Sequence, residues 1–200
     1  MFITFEGPEG SGKSTQILKL KERLINHGKK AINTFEPGGT SLGKEIRNLL
    51  LHSIDMSEVS ELLLYAADRA EHVRQIIKPA LKDDIVVISD RYYHSTLAYQ
   101  GYGRNIDLSL IKKIMEIAIS GVEPDIIFLI DVPVELGFER IQSSGRQKDR
   151  IEKEKIEFHR SIRNGYLDMA KSDKRFIILD GMDSIDNIHQ KIWGELNLCW

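Results

Sequence analysis

Five short apolar runs punctuate the chain, at residues 2–5, 31–35, 85–89, 126–131 and 176–179, and amphipathic stretches fill the intervals. Two of the runs, I-V-V-I and I-I-F-L-I, are continuously apolar and rich in β-branched residues, the pattern of strands covered on both faces. Ile17, Leu20 and Leu24 recur at helical spacing in the first interval. A second, long helix is expected over about 57–81, with Asp55 as N-cap and Glu58 three residues on. Leu62, Ala66, Ala70 and Val73 should line one face of it, and Pro79 falls in its last turns. Further helices are expected over about 108–119, 133–143, 151–170 and 184–196. The third of these is highly charged but carries Phe158, Ile162 and Tyr166 on one inward stripe. Strands alternating with crossovers of this length predict a three-layer α/β/α fold around a five-stranded parallel sheet with right-handed connections. No repeat, low-complexity segment or linker divides the pattern, so one domain is expected over 1–200.

Composition narrows the class. A net charge of −2 argues against non-specific binding to nucleic acid or to an acidic membrane. The single cysteine, Cys199, leaves no internal disulfide and no cysteine metal cluster. The first strand pattern starts at once, without a basic leader or a long apolar stretch, so neither a signal peptide nor a membrane span is expected. A cytoplasmic location fits. Six histidines lie at 27, 52, 72, 94, 159 and 189, without metal-ligand spacing, and read as surface or packing residues.

The chemistry begins directly behind the first run. Gly7-Pro8-Glu9-Gly10-Ser11-Gly12-Lys13-Ser14 is a complete G-x-x-x-x-G-K-[ST] phosphate loop, followed by Thr15 and the first helix. Its glycines let backbone N–H groups curl around an anion, Lys13 reaches the β/γ-phosphates, and the Ser14 hydroxyl is placed for Mg²⁺. A nucleoside triphosphate is the expected ligand. In a parallel sheet, ligands gather beyond the carboxyl ends of the strands. Glu36-Pro37-Gly38-Gly39-Thr40 and Asp90-Arg91-Tyr92 follow the second and third runs accordingly. Asp90 can hold Mg²⁺ through water, and Arg91 can fork onto an acceptor phosphate. No N-K-x-D guanine-reading segment is present, and the short chain favours a small-molecule kinase with ATP as donor. Other nucleotide or nucleoside kinases, and a nucleotide-binding protein that transfers nothing, stay open on these residues alone.

Five segments, in order, resemble the bacterial type of thymidylate kinase over essentially the whole chain. They are F-E-G-P-E-G-S-G-K-S-T-Q, E-P-G-G-T, L-L-L-Y-A-A-D-R-A-E-H-V, I-S-D-R-Y-Y-H-S-T-L-A-Y-Q-G and K-D-R-I-E. The resemblance implies phosphorylation of dTMP to dTDP by ATP and Mg²⁺, in a homodimer built through helices of one side. It implies that Tyr65 stacks on thymine and that Arg69, one helical turn on, bonds a base carbonyl. Thr96 and Gln100 would read the base edge, and Tyr99 would crowd the sugar 2′ position. Arg47 and Arg91 would bind the acceptor phosphate, with Glu36 lining the site and Glu9 positioning the arginine. A lid at about 143–151 would supply the arginine that neutralises charge in transfer, Arg150 or its neighbour Arg146. Phe35 departs from the arginine that many bacterial members carry there.

Overall fold

Hydrophobic alternation in the first strand divides the molecule into its two faces. The computed structural model describes residues 1–52, 55–143, 145 and 147–197. In β1 (Phe2–Glu6), Ile3 and Phe5 join Ile17, Leu20, Leu24, Ile188 and Ile192 in one apolar layer, while Phe2 packs with Val73, Ile77 and Val87 on the other. Thr4 and Glu6 share the register of Phe2, so a fully buried carboxylate ends the strand.

The remaining strands are β2 (Ala31–Phe35), β3 (Val86–Asp90), β4 (Ile126–Asp131) and β5 (Phe176–Asp180), all parallel, in the order β2-β3-β1-β4-β5. Helices α1 (Lys13–Asn26) and α9 (Ile185–Asn197) cover one face. Helices α3 (Glu58–His72), α4 (Lys78–Lys82), α6 (Leu108–Ile119) and α8 (Ile156–Ser172) build the opposite layer. Helices α2 (Ser41–His52), α5 (Tyr93–Thr96) and α7 (Val134–Ser143) complete the set. From β1 the connections run first towards β2 and β3, then to β4 on its other side. The crevice this reversal leaves opens at the end of β1, where the phosphate loop begins.

Several boundaries differ from the sequence expectation, each for a local reason. The cap of α3 is Ser57, whose hydroxyl accepts from Ser60 N–H at 3.2 Å, and not Asp55. Ala70 is exposed; the buried residues of that turn are Asp68 and Arg69, the latter paired with Glu36, so the inward face runs one residue out of phase with the apolar pattern. The long helix passes through a π-helical turn at Val73–Ile77 before α4, just ahead of Pro79, which brings no N–H to the ladder and crowds the preceding carbonyl. Residues 151–154 form turns, and α8 starts only at Ile156. A helical passage over α5 and a π-helical stretch, Leu97–Gly103, had no expected counterpart; its polar residues face the site and mask the apolar period. Phe158, Ile162 and Tyr166 are buried on one stripe, as their spacing indicates. None of the described helices is long and apolar enough to cross a membrane. Cys199 and Arg146 lie outside the described residues.

Candidate active site

The phosphate loop has the conformation that its glycines permit. Gly7, Gly10 and Gly12 hold φ of 141°, 70° and 95°. A Cβ on Gly7 would run into the Ile130 carbonyl, and one on Gly10 into the Gly137 backbone. Gly12 stands at the N-cap of α1 without a capping side chain, so the first N–H groups of the helix face the loop. Lys13 Nζ is folded into the same hollow, donating to the carbonyls of Gly7 at 3.1 Å and Pro8 at 2.9 Å and to Ser11 Oγ at 3.2 Å. Burial, with Arg91 nearby, pulls the Lys13 ammonium down to about 8, against the opposing pull of Asp90, Glu9 and Glu6. The two carbonyls and the Ser11 hydroxyl are the acceptors that a phosphate would replace.

Ser14 Oγ donates to Asp90 Oδ2 at 3.0 Å, bringing two hard oxygens together at the loop mouth. Among the described residues there is no group of three or more His, Cys, Asp or Glu able to hold an ion by itself. One carboxylate plus a hydroxyl fits Mg²⁺, which completes its shell with water and substrate phosphates.

Arg91 is the most heavily constrained residue of the site. Its φ is 72°, a left-handed conformation costing a non-glycine residue about 1–3 kcal/mol. Its N–H on Phe5 O at 2.9 Å and its carbonyl under Ser89 Oγ at 2.7 Å hold it there. Its Nη2 meets Glu9 Oε1 at 2.7 Å, and Nη1 donates to Gly7 O, Ser95 Oγ and Tyr166 Oη at 3.1–3.2 Å. Tyr99 lies beneath, with its ring 5.0 Å from the guanidinium and its hydroxyl on Glu9 Oε1 at 2.8 Å. Burial raises the Glu9 carboxyl, but Arg91, Lys13 and Tyr99 bring it down to about 2, so it is ionised.

Behind Arg91 sits Glu6, which the sequence reading passed over. Its carboxylate accepts from Tyr92 N–H at 2.8 Å, Ser95 Oγ at 2.6 Å and Tyr166 Oη at 3.1 Å. Burial pushes it up to about 7 despite those bonds. An acid ending an apolar strand immediately before the loop was the available signal.

Two cavities flank this centre. One, of 480 Å³, follows the phosphate loop past Asp90; the other, of 320 Å³, extends towards Tyr65, Arg69, Thr96, Tyr99 and Gln100. Both are walled by Glu9, Glu36, Arg47 and Arg91. A further hollow of 280 Å³ lies beside the loop at Arg140, Gly181 and Asp183. In the second cavity, Arg69 is fully buried. It donates to Glu36 Oε2 at 2.7 Å and to Thr96 Oγ1 at 2.7 Å, and Nη1 lies 2.8 Å from Met115 Sδ. His72 occupies the other Glu36 oxygen at 2.7 Å. Burial raises Glu36, and Arg69 and His72 more than reverse it, keeping the carboxylate charged.

Arg47 Nη1 donates to Pro37 O at 2.8 Å, with its guanidinium 5.8 Å from the Phe35 ring. Phe35 therefore gives the Arg47 guanidinium an aromatic face beside the site. Gln100 Nε2 donates to Glu61 Oε1 at 2.7 Å. Arg150, expected to reach the transferring phosphoryl group, rests elsewhere in this structure. Its guanidinium lies on Glu61 Oε2 at 2.5 Å and on Leu50 O at 2.8 Å, beside Arg104, instead of at the phosphate junction. The reason is electrostatic: a buried Glu61 draws in the cations within its reach.

A glycine cradle at the switch point of a parallel sheet, with a second cavity meeting it across shared arginines, defines a phosphate-loop protein of the nucleotide kinase class. Comparison with known proteins resolves the class further. The family model for thymidylate kinase matches residues 5–192, and the chain belongs to that family. It is 49% identical over 202 residues to a thymidylate kinase of Halothermothrix orenii, covering 100% of this chain and 97% of that one. It is 46% identical over 192 residues to one from Thermosipho melanesiensis, with 96% and 95% covered. The crystal structure of thymidylate kinase from Ehrlichia chaffeensis superposes with a TM-score of 0.80 at 39% identity, covering 98% of both chains.

Proposed function

We propose that the two cavities hold ATP and dTMP end to end, and that the chain transfers the γ-phosphoryl group between them to give ADP and dTDP. The carrying observation is their common wall: Glu9, Glu36, Arg47 and Arg91 border both. Phosphoryl transfer needs the acceptor oxygen in line with the leaving group and spread charge in between, and little covalent chemistry. The loop amides and Lys13 hold the donor phosphates. Arg91, steered by Glu9, and Arg47 hold the acceptor phosphate, which is already ionised near neutral pH and needs no strong base. Ser14 and Asp90 would hold Mg²⁺, which when bound neutralises charge on the β- and γ-phosphates.

Tyr65 supplies the stacking surface for the base, and Arg69, Thr96 and Gln100 its edge contacts. Tyr99, under Arg91, closes the sugar position against a 2′-hydroxyl. The hollow beside the loop, with Arg140 bonded to the carbonyls of Gly10 at 3.3 Å and Gly181 at 3.0 Å, takes the adenine. Arg150 anchors the lid to Glu61, and Arg146 is assigned to the lid's charge on the family resemblance alone. The chain works as one domain in the cytoplasm. Two copies pair through α3 and α6, where Val59 (58% exposed), Leu63 (52%), Leu110 (48%) and Ile117 (81%) present apolar side chains to solvent.

An ADP-release assay with ATP and Mg²⁺ tests the acceptor. dTMP should exceed UMP, CMP and AMP in kcat/KM by about 10² or more; equal turnover of all four would remove the base-reading roles of Arg69, Thr96 and Gln100.

A further inference from the structure

We propose that Glu61, which does not line the acceptor cavity, sets its base selectivity by fixing which end of the Gln100 carboxamide faces the ring. The proposal rests on reading that cavity as the dTMP site. It concerns a residue that acts only through another.

Glu61 projects from α3 and is 1% exposed. Its Oε1 accepts from Gln100 Nε2 at 2.7 Å and from Arg104 Nε at 3.3 Å; its Oε2 accepts from Arg150 Nη2 at 2.5 Å and Arg104 Nη2 at 3.3 Å. Burial alone pushes this carboxyl up, but the bonds from Gln100, Arg150 and Arg104 take it below its ordinary value. The group is an ionised carboxylate, and such a group only accepts.

That one fact orients the amide. Gln100 has two donor hydrogens on Nε2 and an acceptor oxygen on Oε1. Turning the side chain over would set Oε1 against a buried anion, two acceptors facing each other with no proton between them. The nitrogen end is therefore committed to Glu61, and the oxygen end is left for the cavity. Its neighbours have the opposite polarity. Thr96 Oγ1 is engaged as acceptor for Arg69 Nη1 at 2.7 Å, so its O–H points elsewhere as a donor, and a guanidinium donates only. The wall thus offers one acceptor beside donors. A thymine ring matches it with N3–H beside carbonyl oxygens. A cytosine ring does not, because its N3 is a bare acceptor and would face Gln100 Oε1.

The same carboxylate is the docking point of the lid, through Arg150. Arg150 and Gln100 therefore converge on one anion, which Gln100, Arg150 and Arg104 together keep charged.

The discriminating experiment compares dTMP with 5-methyl-dCMP, which keeps the 5-methyl group and changes only the ring edge, on the wild-type chain and on Glu61→Gln. The wild type should prefer dTMP strongly. In Glu61→Gln the neighbouring amide can accept or donate, Gln100 is free to turn, and the kcat/KM ratio of the two substrates should narrow about tenfold or more, chiefly through KM for dTMP, with KM for ATP unchanged. Equal losses toward both substrates, with the ratio kept, would show a merely structural Glu61 and overturn the proposal. A wild type that does not phosphorylate dTMP at all would instead remove the reading of the cavity on which it stands.

Should Glu61→Gln not fold, the unaltered protein still answers. Bound ¹⁵N3-labelled dTMP should show an imino proton protected from exchange and coupled to the Gln100 side-chain carbonyl carbon. Rapid exchange of that proton with solvent would overturn the assignment.

Discussion

Arg91 Nη2 and Glu9 Oε1 lie 2.7 Å apart, so the residue that follows β3 and the middle of the phosphate loop are tied by one ion pair. The pair stands on the wall common to the two cavities. Glu9 belongs to the phosphate loop, and on the proposed function Arg91 turns its guanidinium to the acceptor phosphate. Loss of Glu9 should therefore act on geometry at the junction and leave ATP affinity alone. Glu9→Gln is expected to lower kcat/KM for dTMP about 10- to 100-fold, within the range for a misplaced reacting group, while KM for ATP changes little. Steady-state kinetics with each substrate varied would check it, and a selective rise in KM for ATP would contradict this division of roles.

Glu6 makes stability depend on pH in an identifiable window. Its carboxyl is raised from an ordinary 4.5 to about 7, so the folded chain holds this proton more tightly than the unfolded one. The contribution is fully present below pH 4.5 and is lost as pH rises through 7. The shift corresponds to about 3 kcal/mol. Glu6→Gln stays neutral throughout, so wild-type stability measured against this variant should fall between pH 4.5 and 7. Urea titrations at a series of pH values give the difference directly; parallel curves for the two proteins would refute it.

The placement of Arg150 on Glu61 and Leu50 changes what its removal should do. Arg150→Ala is expected to raise KM for dTMP about tenfold through the loosened base wall, with kcat changed less than about threefold. It should also lower the Tm, because a half-paired buried carboxylate remains. A fall in kcat of about 10³ with KM unchanged would return Arg150 to the transferring phosphoryl group.

Tyr65 lines the cavity assigned above to dTMP, and base stacking on an aromatic side chain is worth about 1–3 kcal/mol. Tyr65→Ala should weaken dTMP binding about 5- to 150-fold by calorimetry, with ATP binding kept, whereas Tyr65→Phe should bind nearly as the wild type does. Equal affinity in the alanine variant would exclude stacking on this ring.

Much of the architecture was open to reading along the chain, because strands covered on both faces must be continuously apolar and the loop motif has few structural solutions. Tyr65 and Arg69, one turn apart on α3, were placed by the family resemblance, and both line the same cavity. What escaped notice had long separations in sequence. Glu6 meets Ser95 and Tyr166 across 89 and 160 residues, and Glu61 meets Gln100 and Arg150 across 39 and 89. Nothing local marks a glutamate whose partners arrive from other elements.

The sequence by itself determined the parallel sheet, the anion cradle and the roster of arginines, since periodicity and glycine conformation are local properties. Only the tertiary structure decided which cation serves which anion. Buried carboxylates must be paired, and Glu9, Glu36 and Glu61 therefore claimed Arg91, Arg69 and Arg150 by proximity in space, a competition that no spacing along the chain records.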